Sequence, residues 1–370
     1  MSKFISTILL FACIAACDAQ STLMDSIEII GNQLVNINQL NTSRVTREKI
    51  DRSTTNNVLD ELKYISNVNI ESRGFLGTQS DISLRGSTYE QIGILFNGIK
   101  INNPQTGHNN MVFPVSLFDI DKIDVIKGGT SKYFGANAYA GIISLRTVKP
   151  RKNQLIGDFS LGSFSTSSNY IGYNIKEKNH WHKFSASFLR TKGYRNNTDN
   201  ESWQIFSENH LELNSGLDIF GTVSVHSKKF GANSFYTLRF PNQYEELQSY
   251  FFNVGAKKNG FKFNLYWNQI NDYFLLKRED PSFYKNTHYT DVRGGILSYA
   301  KVISKKATLN SSIEYRNEAI KSSNLGIRNR NNFNANANIG WNVSEKTNLN
   351  IGGNINKIDD FNPMINSVMK

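Results

Sequence analysis

Three blocks decide the fold of this chain: DISLRG (Asp81–Gly86), LFNGIKINNPQTGHNN (Leu95–Asn110) and IDVIKGGTSKYFGANAYAGIISLRT (Ile123–Thr147). Short alternating apolar segments within them predict strands. The Asn97–Gly98 pair suits the two positive φ values of a type I′ hairpin turn. Upstream, the hydroxyls from Ser53 to Thr55 can cap a helix whose apolar residues share one face. These features predict a compact α+β domain with a small mixed sheet.

In this order, the three blocks resemble the plug domain of TonB-dependent outer-membrane receptors. The resemblance implies a plug over residues 41–150 and a subgroup similar to the cobalamin and siderophore receptors of Bacteroidetes type. It also implies that two basic residues before glycine, Arg85 and Lys127, contact the barrel wall. Lys127 stands where the family usually has arginine followed by proline. Because lysine cannot pair with a carboxylate through two parallel hydrogen bonds, a weaker tether is expected there.

From about Leu155 onward, apolar and polar residues alternate in segments separated by turn residues. Between Phe333 and Trp341, for example, aromatic and aliphatic residues alternate with asparagine and glycine. One apolar face and one amide-rich face suit a transmembrane barrel strand, with lipid outside and water or a plug inside. A soluble β-sandwich has the same period and is the alternative. The expected fold class is mainly β, with a small α+β plug followed by antiparallel transmembrane strands in residues 151–370.

The number of strand segments indicates how much of a barrel this chain supplies. We identify about eleven of them before Lys370, whereas the resemblance implies a barrel of about 22 strands, wide enough to surround a plug. The chain is therefore expected to supply about half of a barrel and to be a fragment or a truncated gene product. An open half-barrel would leave unpaired strand edges in lipid.

Residues 1–20 have the layout of a cleaved export signal, with Lys3 before an apolar run and small residues around Ala19. Both cysteines, Cys13 and Cys17, lie in this segment. No disulfide is therefore expected in the mature protein. The residues that end at Cys17 also resemble a lipobox, which makes Cys17 a candidate for lipidation.

Residues 21–40 are expected to form an N-terminal periplasmic segment. Within it, the resemblance implies a TonB box, which pairs as an added strand with the energy-coupling protein through β-augmentation. The alternative is a first strand of the plug. The candidate coupling residues are Asp25, Ser26, Ile27, Glu28, Ile29 and Ile30.

The polar loop after Asn102 resembles the plug apex that faces an incoming ligand. Its amides and one imidazole can hydrogen-bond a polar solute, while Pro104 and Gly107 favour a turn. The alternative is that these side chains only form the turn. The candidate solute-binding residues, including two from an earlier loop, are Arg73, Phe75, Gln105, His108, Asn109 and Asn110.

The charge and the motifs of the chain argue against a nucleic-acid-binding protein, a metal-binding protein and an enzyme. The formal net charge is +11, but no basic run or nucleic-acid motif accompanies it, so solvated loops and lipid phosphates are the expected partners. Asn197, Asp199 and Glu201 offer oxygen ligands without the spacing of a calcium loop. We therefore expect no metal, no cofactor and no catalytic residues.

These expectations combine into one function. The resemblance implies an outer-membrane receptor, with its N-terminus in the periplasm, that imports a scarce large solute when a TonB-type protein transmits energy. A corrinoid or a ferric siderophore is the expected solute, because residues 193–203 and 230–246 resemble outer loops of a corrinoid-linked subgroup. The alternatives are a passive porin and a surface-binding outer-membrane lipoprotein or adhesin. Expected partners are the coupling protein, outer-membrane lipid and the solute, but not nucleic acid.

Overall fold

A computed structural model describes residues 41–74, 76–304, 306–344 and 347–359, and the backbone of strands at 27–30, 33–36 and 364–369. The predicted export signal, Cys17, Asp25, Ser26 and Phe75 lie outside the described residues. Within the described part, no helix is both long enough and apolar enough to cross a membrane.

Among the residues that the structure describes, nine strands precede residue 150. They are β1 (Ile27–Ile30), β2 (Gln33–Asn36), β3 (Asn41–Thr46), β4 (Val68–Arg73), β5 (Gln79–Leu84), β6 (Ile92–Phe96), β7 (Ile99–Lys100), β8 (Ile120–Lys127) and β9 (Gly141–Thr147). Five of them form one sheet in the order β3-β8-β9-β6-β7, in which only β6 and β9 run parallel. β1 pairs with β2, and β4 pairs with β5, as separate antiparallel hairpins. The predicted small mixed sheet is confirmed.

In the described part of the chain, three short α-helices lie beside this sheet: α1 (Arg47–Arg52), α2 (Val58–Lys63) and α3 (Ser131–Phe134). The predicted cap was placed too early. Ser53 ends α1, where its N–H donates to the Ile50 carbonyl. The cap of α2 is Asn57, whose side-chain oxygen accepts from the Asp60 N–H at 2.9 Å. An extended Asn57 directly before the first helical residue is in the position that a side-chain cap requires.

The sheet and α2 enclose an apolar core, which the burial of aliphatic side chains stabilises. Its centre includes Leu62, Ile94, Phe96 and Ile123, all fully buried. The predicted turn between β6 and β7 is present, with φ values of 48° at Asn97 and 89° at Gly98. We call residues 41–147 the plug.

Twelve further strands form one antiparallel sheet in which each strand pairs with the next along the chain. They are β10 (Gln154–Gly162), β11 (Thr166–Lys176), β12 (His180–Thr191), β13 (Asn200–Glu212), β14 (Asp218–Gly231), β15 (Tyr244–Lys258), β16 (Phe261–Leu275), β17 (Lys285–Ser304), β18 (Ala307–Ser322), β19 (Gly326–Asn342), β20 (Asn348–Ile358) and β21 (Met364–Met369). β10 and β21 are its two edges and do not pair with each other. Hydrogen bonds from the plug reach strands from β10 to β20, so this sheet, the wall, curves around the plug without closing.

The wall has its polar face inside. Phe263, Leu297 and Ile313 point outward and are 43–53% exposed. Their inward neighbours are buried and polar, as at Asn264 and Ser298. On β19 and β20 the buried amides of Asn334 and Asn354 donate to each other, at 3.3 and 3.1 Å. A soluble sandwich would bury the apolar face instead, so this arrangement is that of a membrane barrel.

The two ends of the wall differ in their connections. Residues 192–199, 232–243 and 276–284 form long connections at one end, which we call the loop end. Connections as short as residues 259–260 lie at the other end, which we call the turn end. Long connections on one side and short turns on the other are typical of outer-membrane barrels.

Candidate functional site at the plug apex and the plug–wall seam

The apex of the plug lies at the loop end and is organised around one carboxylate. Asp81 accepts from His108 Nδ1 at 2.6 Å and pairs with Arg73 at 3.2 Å. Tyr89 contacts the same imidazole, with its hydroxyl 3.3 Å from Nε2. Two of the predicted solute-binding residues, Arg73 and His108, are therefore held together by Asp81. The cluster offers a guanidinium, an imidazole and a phenol, which are groups that recognise polar solutes.

The other candidate residues have different surroundings. Asn109 faces the wall, where its amide donates to Asp272 at 3.3 Å. Asn110 points into its own loop and accepts from the Asn103 N–H at 2.7 Å. Gln105 lines a cavity of about 230 Å³, together with Arg316 of β18. The structure thus gives Asn110 a part in shaping the loop, whereas solute contact by any of these residues stays a prediction.

The wall contributes residues to the apex that sequence reasoning missed. Tyr236 accepts from Gln79 of β5 at 2.7 Å and donates to Glu245 at 3.0 Å. The Lys228 ammonium donates to the carbonyls of Gly77 and Thr78, at 2.9 and 2.6 Å. A signal existed, since Tyr236 and Glu245 fall within the stretch at 230–246 that resembles outer loops. Nothing in the sequence indicated that this stretch contacts the plug.

A second fastening lies at the turn end, around the fully buried carboxylate of Asp119. It accepts from Tyr170 of β11 at 2.8 Å and from Ser185 of β12 at 2.6 Å. The Lys183 ammonium is 3.3 Å away and is also buried. Because three wall groups satisfy one plug carboxylate, this is a buried ion pair with supporting hydrogen bonds. Sequence analysis did not identify it.

The Asn97–Gly98 turn also reaches the wall at the turn end. The Asn97 carbonyl accepts from Lys262 of β16 at 3.2 Å, and its side chain donates to Glu208 of β13 at 3.3 Å. The same side chain binds Thr147 of β9 at 3.0 Å. A turn predicted only as a hairpin thus also joins the plug to the wall.

The two predicted plug–barrel residues lie near each other in the plug. Lys127 donates to Ser43 and Ser66, at 2.9 and 3.4 Å, and both partners belong to the plug. Burial lowers the pKa of Lys127, and the nearby positive charge of Arg85 lowers it further. Arg85 itself is exposed and has a φ of 53°. Contact between either residue and the wall stays a prediction.

Lys100, at the end of β7, is a buried cation that sequence analysis did not single out. Its ammonium donates to the carbonyls of Phe134 and Ala136, at 2.7 and 2.6 Å. Burial, with the positive charge of Arg316 nearby, lowers the pKa of Lys100 to about 8. In the described part of the chain, no cluster of His, Cys, Asp and Glu side chains is arranged to hold a metal ion.

The predicted coupling segment lies partly in a strand. Ile27–Ile30 form β1, which pairs antiparallel with β2. This hairpin is separate from the five-stranded sheet of the plug. Whether these residues act in energy coupling stays a prediction.

A globular plug is fastened at both ends to an antiparallel wall whose polar face points inward and whose apolar face points outward. This combination defines the class of plugged membrane barrels. Residues 37–142 match the family described as the TonB-dependent Receptor Plug Domain. Together with the fold and the relatives that follow, this match makes the chain similar to the TonB-dependent receptors. These are outer-membrane β-barrel proteins that transport solutes and are not enzymes.

Individual relatives agree with this assignment. The chain is 24% identical over 276 residues to the vitamin B12 transporter BtuB of Vibrio vulnificus, which covers 71% of this chain and 42% of the relative. Among solved structures, the FrpB iron transporter from Neisseria meningitidis superposes with a TM-score of 0.71 at 14% identity, over 89% of this chain and 61% of that one. The ferric yersiniabactin receptor FyuA from Yersinia pestis gives a TM-score of 0.67 at 13% identity, over 90% and 60%. The chain thus spans about two fifths of the length of BtuB.

Proposed function

We propose that this chain belongs to an outer-membrane receptor that binds a scarce large solute and imports it with energy transmitted by a TonB-type protein. This proposal rests on the set of contacts between plug and wall, which we call the seam. The seam consists of side-chain hydrogen bonds, such as that from Lys262 to Asn97, and the buried ion pair of Asp119 and Lys183. Such contacts hold the plug in place, yet each can be broken and remade individually. A passive porin needs no plug fastened in this way.

The proposed solute is a corrinoid or a ferric siderophore. The relatives named for vitamin B12, iron and ferric yersiniabactin support this class. The apex cluster of Arg73, Asp81 and His108 would bind polar groups of the solute, assisted by Gln105 and Asn109. Phe75 would add an apolar contact.

We also propose an order of segments along the chain. Residues 1–20 would be the export signal, 21–40 the periplasmic coupling segment, 41–150 the plug and 151–370 barrel wall. The loop end would face the outside, because the apex lies there, and the exposed aromatic and aliphatic side chains of the wall would contact lipid. Lipidation at Cys17 would be an additional anchor.

Uptake by the complete gene product tests the import function. Cells with and without the coupling protein would be given labelled cyanocobalamin or a ferric siderophore. We expect surface binding in both strains but accumulation only where the coupling protein is present. Accumulation that does not depend on the coupling protein would favour the porin. Absence of binding for both solutes would contradict the proposed solute class.

A substitution in β1 tests the coupling segment. Ile29→Pro removes a backbone donor and disfavours an extended partner strand, so it should abolish accumulation and leave surface binding unchanged. Ile29→Val is the matched control, because it keeps the backbone N–H and a β-branched side chain. Normal accumulation by the proline variant would remove the assignment of residues 25–30.

A substitution at the apex tests solute binding. Asp81→Asn removes the charge that holds Arg73 and His108 while keeping the shape of the side chain, so it should weaken solute binding by about tenfold or more. Asp60→Asn, on α2, is the control and should bind normally. Equal affinities in both variants would move the binding site away from the apex.

A further inference from the structure

A cavity of about 370 Å³ lies at the turn end, between the plug and wall strands β12 to β17. The plug contributes Asn97, the segment after the plug contributes Lys149, and the wall contributes residues such as Trp181 and Asn253. This volume is within the range of small-molecule sites in proteins, which begins at about 300 Å³. The cavity is at the opposite end of the plug from the apex, so the proposed solute site does not account for it.

One side of the cavity is a stack of flat rings. Trp181 and His210 lie with centroids 4.0 Å apart and planes at 15°, and Phe220 follows His210 at 5.3 Å and 22°. Carboxylates hold the imidazole at its edges, because Glu208 and Asp218 are each 3.4 Å from one ring nitrogen. A stack fixed in this way presents ring edges, against which a planar ligand ring can pack edge to face.

Two acceptors in the lining lack a hydrogen-bond partner among the described residues. They are Glu208 Oε2 and Asn253 Oδ1, on side chains that are 4% and 2% exposed. The other carboxylate oxygen of Glu208 already accepts from Asn97 at 3.3 Å. A buried polar atom is more stable when it has a hydrogen-bond partner. A ligand that brings N–H donors would supply partners for these two acceptors.

The cavity lining also carries positive charge. Lys149, which follows the plug, and Lys257 of β15 are exposed lining residues. Arg146 and Lys262 add two more positive charges to the lining, against the negative charges of Glu208 and Asp218. An excess of positive charge around a cleft favours a ligand that carries an anionic group.

We propose that this cavity is a binding site for a small aromatic zwitterion. Its ring packs edge to face against Trp181 and His210, its N–H donors point toward Glu208 and Asn253, and its anionic group lies near Lys149 and Lys257. The site goes beyond the proposed import function and does not depend on it.

Titration of the purified protein in detergent with L-tryptophan tests this site, because that probe combines an indole ring, an ammonium and a carboxylate. Tryptamine lacks the carboxylate and indole-3-propionate lacks the ammonium. Calorimetry should show saturable binding of L-tryptophan, with each analogue weaker by about tenfold or more. Absence of saturable binding up to about 10 mM, or equal affinities for the three probes, would overturn the proposal.

Two variants place the binding in this cavity. Trp181→Leu removes the ring surface, and Glu208→Gln removes the charge at nearly constant shape, so each should weaken L-tryptophan binding by about tenfold or more. Ser207→Ala, on the outward face of β13, is the control and should bind like the unsubstituted protein. If Trp181→Leu does not fold, Glu208→Gln alone decides. Unchanged affinity in a folded variant would show that the probe binds elsewhere.

Discussion

The plug and the wall bury opposite kinds of side chain. The plug has an ordinary interior of Leu62, Ile94, Phe96 and Ile123. The wall instead turns mostly polar residues inward, apart from apolar residues such as Phe206 and Phe251 that pack on the plug, and leaves aromatic and aliphatic residues exposed outside. Burial alone therefore does not identify a core, because the plug is folded against water and the wall is folded against lipid. Substitutions of the same type should therefore have different consequences in the two regions.

The largest expected difference is at two phenylalanines. Phe96→Ala leaves a cavity in the plug core, where Phe96 packs edge-on against Phe206 and Phe251 of the wall, and should lower the free energy of unfolding by about 3–5 kcal/mol. Phe263→Ala, on the outward face of β16, should lower it in detergent by about 1 kcal/mol or less. Urea unfolding of both variants measures the difference. Equal losses would show that the outward face is packed as tightly as the plug core.

The buried ion pair at the turn end should be the next most sensitive feature. Asp119→Asn leaves the Lys183 ammonium buried without its counter-charge, which costs about 3–5 kcal/mol for pairs of this kind. Hydrogen exchange in residues 117–119 and urea unfolding should both report the loss. Asp121→Asn, two residues away on β8, is the control. Protection equal to that of the unsubstituted protein would show that Asp119 does not fasten the plug.

A charge on the outward face should be costly only within the apolar band. Val223→Arg places a cation among exposed apolar side chains of β14 and should cost about 2–4 kcal/mol in a bilayer. Gln248→Arg lies nearer the loop end, on the outward face of β15, and should cost about 0–1 kcal/mol. Folding into lipid vesicles, compared with folding in detergent, measures both. A similar penalty at the two sites would contradict a lipid-facing band.

The pH dependence of stability should also reflect the burial of a lysine in the plug. Lys100 has a folded-state pKa of about 8, whereas a lysine in an unfolded chain titrates near ~10.4. Between these values the unfolded chain binds more protons, so the contribution of Lys100 makes the free energy of unfolding rise with pH. Urea midpoints at several pH values should show this rise, and Lys100→Met should lack it. Lys63→Met, on α2, is the control; the same pH dependence in Lys100→Met would assign the rise to other groups.

Sequence periodicity predicted both regions because each has a local signature. Alternation identified the wall strands, and Asn97–Gly98 identified a hairpin turn whose positive φ values the structure confirms. The helix cap was misplaced because Ser53 and Asn57 are both good caps, and only the three-dimensional course of the chain selects Asn57. Periodicity thus gives the type of element more reliably than its boundary.

The seam could not be predicted in the same way. Asp119 and Lys183 are 64 residues apart, and Asn97 and Lys262 are 165 apart. Such pairs depend on strand register and on the rotation of the plug inside the wall, which no local pattern encodes. The sequence predicted the apex as a loop. It did not predict a role for Asp81, which lies in a strand and holds Arg73 and His108 together.

The inward asparagines of β19 and β20 have a mechanical consequence. Each side-chain amide carries both donors and an acceptor, as the reciprocal pair of Asn334 and Asn354 demonstrates. A body moving along such a lining can exchange one amide partner for the next without a net loss of hydrogen bonds. Displacement of the plug along this lining would therefore meet many small energy barriers of similar height in place of a single large barrier.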